Sequence, residues 1–206
     1  MEYAGLSSSY FQTWDHHVVI EDLEPKTRYF YRVGNEQDGW SQEFSFVTAS
    51  NDLSDPIRAV VIGDMGIFNS EDTIAALTGL VDSDSVDMIL HVGDISYADD
   101  SFLKHPFEFG YEKVWNSYMQ SIQQFAARVP YMTLPGNHEA ECHSPACFIS
   151  EDKLNKLSNF SAYNNRFRMP SAESGGALNM WYSFNLGPVH FINLDTETDF
   201  EGLSPQ

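Results

Sequence analysis

Three short apolar runs, each closed by glycine and then by a polar residue able to bind metal, set the frame for this chain. Ala59-Val60-Val61-Ile62 leads into Gly63-Asp64-Met65-Gly66. Met88-Ile89-Leu90-His91-Val92 leads into Gly93-Asp94-Ile95-Ser96-Tyr97, and Tyr131-Met132-Thr133-Leu134 into Pro135-Gly136-Asn137-His138-Glu139. Such runs read as buried strands of a parallel sheet. Ligands gather beyond the carboxyl ends of these strands, so Asp64, Asp94, Tyr97, Asn137 and His138 are expected to face one crevice. The glycine before each ligand is read as the residue that lets the chain turn and the backbone approach closely.

The segments between the runs supply crossovers. A helix is expected from about Ser70 to Val81, with Ser70 as N-cap, Glu71 and Asp72 at the positive end, and Ile74, Leu77, Leu80 and Val81 facing inward. A second carries Tyr111, Val114, Trp115, Tyr118, Met119, Ile122 and Phe125 toward the sheet. Strand–helix–strand–helix–strand is a right-handed α/β arrangement. Upstream, residues 16–48 read as all-β: His17-Val18-Val19-Ile20 is a strand, Leu23 to Thr27 a turn, and Tyr29 to Val33 and Trp40 to Thr48 alternate. Leu23, Pro25, Thr27 and Tyr29 have the spacing of the tyrosine corner in fibronectin type III-like sandwiches, with too few strands for a complete one. The polar stretch Ser50 to Pro56 is a linker, which divides the chain into residues 1–50 and 56–206. Between Glu139 and Gly176 an irregular region with one short helix near Asp152 is expected. Beyond it, Met180–Phe184 and Val189–Leu194 form a hairpin. His16 and His17 are read as structural or surface residues, and His91 as a core histidine.

The net charge of −19 argues against nucleic acid or an anionic membrane as partner. An anionic substrate would then need bound cations to neutralise its site. No apolar stretch approaches the roughly 20 residues of a membrane span. The start, Met1-Glu2-Tyr3-Ala4-Gly5, lacks the basic and apolar parts of a signal peptide. The chain is therefore read as intracellular or as beginning downstream of a lost N-terminus. Cys142 and Cys147 are read first as a disulfide closing a small loop, worth about 2 kcal/mol. Free thiols, or metal ligation beside His143, are the alternatives. Asn159-Phe160-Ser161 is a glycosylation sequon, meaningful in a secreted chain.

Asp64 and Asp94 offer hard anionic oxygens, Asn137 an amide oxygen, and Tyr97 a phenolate once a strong Lewis acid lowers its pKa. Oxygen-rich sets joined by histidine suit iron, manganese or zinc better than calcium. A carboxylate at a central strand end can bridge two cations, and a pair about 3.5–4 Å apart holds a phosphate and activates water. One Gly-Asp is ordinarily a turn, but three strand-end motifs in this order are specific. They match the pattern G-D-x-G, G-D-x-x-Y and G-N-H-E, and here the chain resembles the purple acid phosphatases, within the calcineurin-like metallophosphoesterases. Asn165-Arg166-Phe167-Arg168-Met169-Pro170 and Trp181-Tyr182-Ser183-Phe184 extend the likeness, toward fungal or other eukaryotic high-molecular-weight members.

The resemblance implies an α/β fold: an incomplete metallophosphoesterase αββα-type sandwich preceded by part of a fibronectin type III-like β-sandwich. By position, Asp64 and Tyr97 would bind a ferric ion, Asp94 would bridge, and Asn137 would hold a divalent zinc, manganese or iron. Asn137 and His138 would also meet the substrate, with His138 on the phosphate oxygens or the leaving oxygen. The implied reaction is hydrolysis of a small phosphomonoester by a metal-bound hydroxide at acid pH. A phosphodiester or nucleotide pyrophosphate is the alternative substrate, and a non-catalytic binding protein the alternative class. Secretion, the Cys142–Cys147 disulfide and glycosylation at Asn159 accompany the family reading; oligomeric state is not legible. Glu139 is expected to support the site, while Asp99, Asp100 and Asp195 are read as solvated acids outside it. The family's later G-H-x-H is missing, and His190, in a strand pattern, does not replace it. That leaves three candidate ligands for one metal and two for the other. A fragment of a complete enzyme is the simplest account, with a half-built sheet exposing apolar surface.

Overall fold

The computed structural model describes residues 2–3, 13–104 and 109–198. β1 (Glu2–Tyr3) pairs antiparallel with β2 (Thr13–Trp14). β3 (Arg28–Tyr31), β4 (Gly34–Asn35), β5 (Gly39–Trp40) and β6 (Phe44–Val47) form two nested antiparallel pairs, β3 with β6 and β4 with β5. Tyr29 and Tyr31 pack against Phe46 and Phe44 across the first pair. The Tyr29 hydroxyl accepts the Glu24 N–H at 2.8 Å, closing the expected corner. The strand expected at His17–Ile20 is absent. Those residues have no ladder partner among the described residues, and Val18, Val19 and Ile20 are exposed. β-Branched content favours a strand only where a pleated surface receives it. His17 instead uses Nε2 to reach the Asn165 carbonyl at 3.0 Å.

Next come β7 (Ala59–Ile62), α1 (Glu71–Asp82), β8 (Met88–Val92), a 3₁₀ turn at Asp99–Leu103, α2 (Tyr111–Ala126) and β9 (Tyr131–Leu134). The three strands are parallel in the order β7-β8-β9, with Ile62 beside His91 and Val92 beside Leu134. The apolar stripes of α1 and α2 cover the sheet: Leu77, Val81, Trp115, Tyr118, Ile122 and Phe125 are buried in one core with Ile89. Each such side chain stabilises the fold by roughly 1.5–3 kcal/mol. Ser70 does precede α1, but its hydroxyl makes no cap bond and is buried without a partner.

The region expected to be irregular holds five short helices: α3 (Asn137–Ala140), α4 (Pro145–Phe148), α5 (Glu151–Leu157), α6 (Ser161–Arg166) and α7 (Ser171–Ser174). Only α5, the longest, was legible, because helices of four to six residues are too short to display a 3.6-residue period. The buried Arg166–Glu112 pair, at 2.5 Å, ties α6 to α2. A hairpin of β10 (Tyr182–Leu186) and β11 (Val189–Asn193) ends the described chain.

The two edges of the parallel sheet differ. On β9, Thr133 faces outward, its N–H meeting Met169 Sδ and its carbonyl accepting the hydroxyls of Tyr163 at 3.0 Å and Tyr182 at 2.7 Å. On β7, Ala59 and Val61 stand exposed, and Val92, Ile192 and Leu194 add further exposed apolar surface. A cavity of about 620 Å³ lies where β6 and the linker meet the amino ends of the parallel strands. Its basic residues are already paired: Lys26 with Asp55, Arg28 with Asp84, Arg58 with Asp87 and Arg128 with Asp82. It is a seam between the two parts of the chain, at the opposite end of the strands from the acids described next.

Candidate metal centre

At the carboxyl ends of β7 and β8 the chain turns through left-handed backbone at Asp64, Asp94 and Tyr97, with φ of 53°, 50° and 53°. This region costs energy for any side chain and most for a bulky one such as tyrosine. The turns bring the three side chains together. The Tyr97 hydroxyl donates to Asp64 Oδ1 at 2.9 Å and to Asp94 Oδ2 at 3.3 Å. The other oxygen of Asp94 accepts the His138 backbone N–H at 3.2 Å. Asn137 therefore sits in the chain between two residues that touch Asp94, with its own side chain exposed.

The expected role for glycine holds at two of the three strand ends. Gly93 has φ 83°, and an added Cβ would press on Gly136 Cα at 3.1 Å. At Gly136 a Cβ would collide with Asp94 Oδ1 and lie 2.5 Å from the Asp94 nitrogen. Gly63 needs no such freedom: a Cβ there meets Val92 at ordinary contact distance, and Asp64 makes the turn itself. Gly136→Ala is accordingly expected to cost about 1–3 kcal/mol through overpacking. A thermal melt should show this as a fall of roughly 3–10 °C, and Gly63→Ala should move the midpoint far less.

Glu139 is buried and acts as a clasp. Its Oε2 accepts the Gly136 N–H and its Oε1 the Ile95 N–H, both at 2.9 Å, joining the loops after β9 and β8. Burial raises its pKa to about 7 against those two bonds, and the Asp94 charge adds to the rise. His91 is a core residue as expected. Its Nδ1 lies 2.6 Å from the Tyr131 hydroxyl and 3.0 Å from that of Tyr118, and burial lowers its pKa to about 4, keeping the ring neutral.

Asp99 corrects the sequence reading. It is fully buried, not solvated, and it accepts His138 Nδ1 at 3.0 Å on both oxygens. The backbone N–H and Nδ1 of His143 reach its Oδ2, each at 3.0 Å. Burial pulls the His138 pKa down, but the Asp99 bond and the charges of Asp99, Asp94 and Asp100 outweigh it and lift it to about 9. The available signal was position: Asp99 follows Tyr97 by two residues and shares its turn. Asp195 is also buried, accepting the Glu197 N–H, whereas Asp100 is partly exposed. Cys142 and Cys147 form a disulfide, so neither is a thiol or metal ligand. Asn159 is exposed, at φ 61°. His190 lies on the exposed hairpin, its Nδ1 2.7 Å from Asn185 Oδ1.

The donor set suits a hard, multivalent cation. Two carboxylates converge on one phenol, while the ion pairs of the lysines and arginines lie elsewhere. Burial, then the Asp64 bond and the two acid charges, push the Tyr97 pKa up, so without a cation the residue stays a phenol. Oxygen donors held this way, on backbone of raised energy, match the preferences of a hard cation.

Comparison with known proteins finds similar chains and domains. Residues 57–202 match the family model of calcineurin-like phosphoesterases, and residues 2–48 that of the purple acid phosphatase N-terminal domain. Purple acid phosphatase 23 of Arabidopsis thaliana is 31% identical over 93% of this chain and 42% of its own length. Acid phosphatase type 7 of Mus musculus is 35% identical over 90% of this chain, and only 35% of that protein is covered. For the acid phosphatase of Aspergillus ficuum the values are 28%, 90% and 41%. The chain thus spans about two fifths or less of the length of these relatives. Among solved structures, a purple acid phosphatase from yellow lupin (Lupinus luteus) seeds superposes with a TM-score of 0.61 at 23% identity, covering 88% of this chain and 33% of that one. That likeness shows the fold: a metallophosphoesterase α/β unit preceded by a purple acid phosphatase N-terminal domain.

Proposed function

The chain belongs to the calcineurin-like phosphoesterase family, and from that premise we propose that its strand-end crevice is the first half of a binuclear centre that hydrolyses phosphomonoesters. The observation that carries the proposal is the convergence of Asp64, Tyr97 and Asp94 on one hydroxyl, with His138 bonded to the far side of Asp94. Asp64 and Tyr97 would hold a ferric ion, Asp94 would bridge, and Asn137 would contribute to a divalent zinc, manganese or iron. When bound, such a pair supplies positive charge to phosphoryl oxygens and acidifies water. The protein's own part is positional. Asp94 joins the two halves of the ligand set, Glu139 locks the β8 and β9 loops together, and Asp99 holds His138 with Nδ1 turned inward. His138 Nε2 is then free to bond a phosphate oxygen or the leaving oxygen. The disulfide and the exposed Asn159 sequon support an oxidising compartment, extracellular or lumenal, with glycosylation at Asn159.

Two measurements test this. Release of phosphate from p-nitrophenyl phosphate by the full-length product, lost on treatment with chelator and restored by iron and zinc, is the expected result. Ferric iron added to the protein should produce a violet band from phenolate-to-iron charge transfer, and Tyr97→Phe should abolish it. A violet Tyr97→Phe protein would remove Tyr97 from the site.

A further inference from the structure

We propose that His143 is a positioning residue of the phosphoester site, gripping the Asp99 carboxylate alongside His138 and so fixing the plane and direction of the His138 ring. This builds on the function proposed above. A carboxylate can only accept hydrogen bonds, so both Nδ1 atoms carry their protons toward Asp99 and both Nε2 atoms turn away from it. Asp99 has no exposed surface, and three N–H donors hold it: His138 Nδ1, the His143 backbone and His143 Nδ1. Two of the three come from His143. Without that ring the carboxylate would keep one backbone bond and would be free to rotate with His138.

The residue sits where such a hold is stiff. It directly follows Cys142 in the loop closed by the Cys142–Cys147 disulfide, and both cysteines are buried. Ser144, also buried, caps α4 by accepting the Ala146 N–H. The three rings form a row leading outward from the acids: Tyr97 lies 4.4 Å from His138, and His138 lies 5.0 Å from His143, centre to centre. His143 thus braces the outer end of a row whose inner end bonds Asp64 and Asp94. Groups that directly orient metal ligands change affinity or activity about 10–100-fold when removed, and a brace one step further out is expected at the lower end of that range.

The first test uses the 206-residue chain and needs no turnover. In spectra of ¹⁵N-histidine-labelled protein, the His138 Nδ1 proton should be protected from solvent exchange. His143→Leu should speed its exchange, and His143→Asn, whose amide can donate from the place of Nδ1, should restore protection. Unchanged exchange in His143→Leu would overturn the proposal. So would stoichiometric zinc binding that disappears in His143→Leu, because His143 would then be a metal ligand. The second test uses the full-length product. His143→Leu should lower kcat about tenfold for an alkyl phosphate, whose leaving oxygen needs a proton, with KM little changed. The loss should be smaller for p-nitrophenyl phosphate and should vanish in an Asp99→Asn background. Equal losses on both substrates, or losses that add, would overturn it. A full-length product without phosphatase activity would sink the function, while the exchange measurement would still decide His143.

Discussion

Asp94→Ala is expected to abolish stoichiometric metal binding and, with it, phosphoester hydrolysis. Asp94 is the carboxylate that contacts both sides of the crevice, through Tyr97 on one oxygen and the His138 backbone on the other. The chain is built to admit it, since only a residue without Cβ fits at position 136. Loss of a group that merely supports a metal ligand lowers affinity about 10–100-fold, so loss of a ligand shared by two ions should exceed about 100-fold. Metal content after gel filtration and turnover of p-nitrophenyl phosphate measure the two effects. The fold should survive, because in the metal-free chain Asp94 faces the like charge of Asp64 across one hydroxyl. A metal-replete, active Asp94→Ala protein would exclude the two-metal reading.

The metal-free chain is expected to be more stable at pH 5 than at pH 8. Burial raises the folded pKa of Glu139 from its ordinary 4.5 to about 7. Between those values the folded carboxyl keeps a proton that the unfolded one has released. Stability falls with rising pH wherever the folded state binds more protons, so this contribution is present below about pH 4.5 and lost as pH rises through 7. Its size is about 3 kcal/mol, from 2.5 pKa units at 1.36 kcal/mol each. His138 acts in the same direction over a higher window. Its folded pKa of about 9 exceeds the ordinary 6.5, so its contribution is whole below 6.5 and lost as pH climbs through 9. His91 opposes the trend between pH 4 and 6.5, because burial lowers its folded pKa from 6.5 to about 4 and the unfolded chain takes up the proton first. Below pH 4 Asp87, held down by its bond to Arg58, also loses its stabilisation on protonation. Urea melts in chelator across this range are the measurement. Glu139→Gln, which does not titrate, should leave His91 in control and turn the limb between pH 5 and 7 upward with pH; an unchanged limb would remove Glu139 as a source.

The three strands, both crossover helices and the Asp64–Asp94–Tyr97 cluster were legible because their signals are local. An apolar run of four or five residues closed by glycine declares a strand end, and Tyr97 is only three residues from Asp94. Asp99 was not legible as a buried group, because its burial depends on His138 and His143, some forty residues away in sequence. Nothing in the run Ala98-Asp99-Asp100 separates the buried acid from its partly exposed neighbour. Val18–Ile20 failed for the opposite reason: the right residues for a strand lacked a ladder to join. Gly63 shares its motif position with Gly93 and Gly136 but not their steric need, a difference that only the packing between β8 and the β9 loop reveals.

Thr133 has a consequence for how this sheet can grow. With its outward N–H and carbonyl taken by Met169, Tyr163 and Tyr182, the β9 side offers a newcomer no complete row of partners. Recruitment is therefore one-sided, and any additional strand, from the same polypeptide or from another molecule, must enlist beside Val61. Lysine at that position would close the remaining berth and leave the acids at the strand tips where they are.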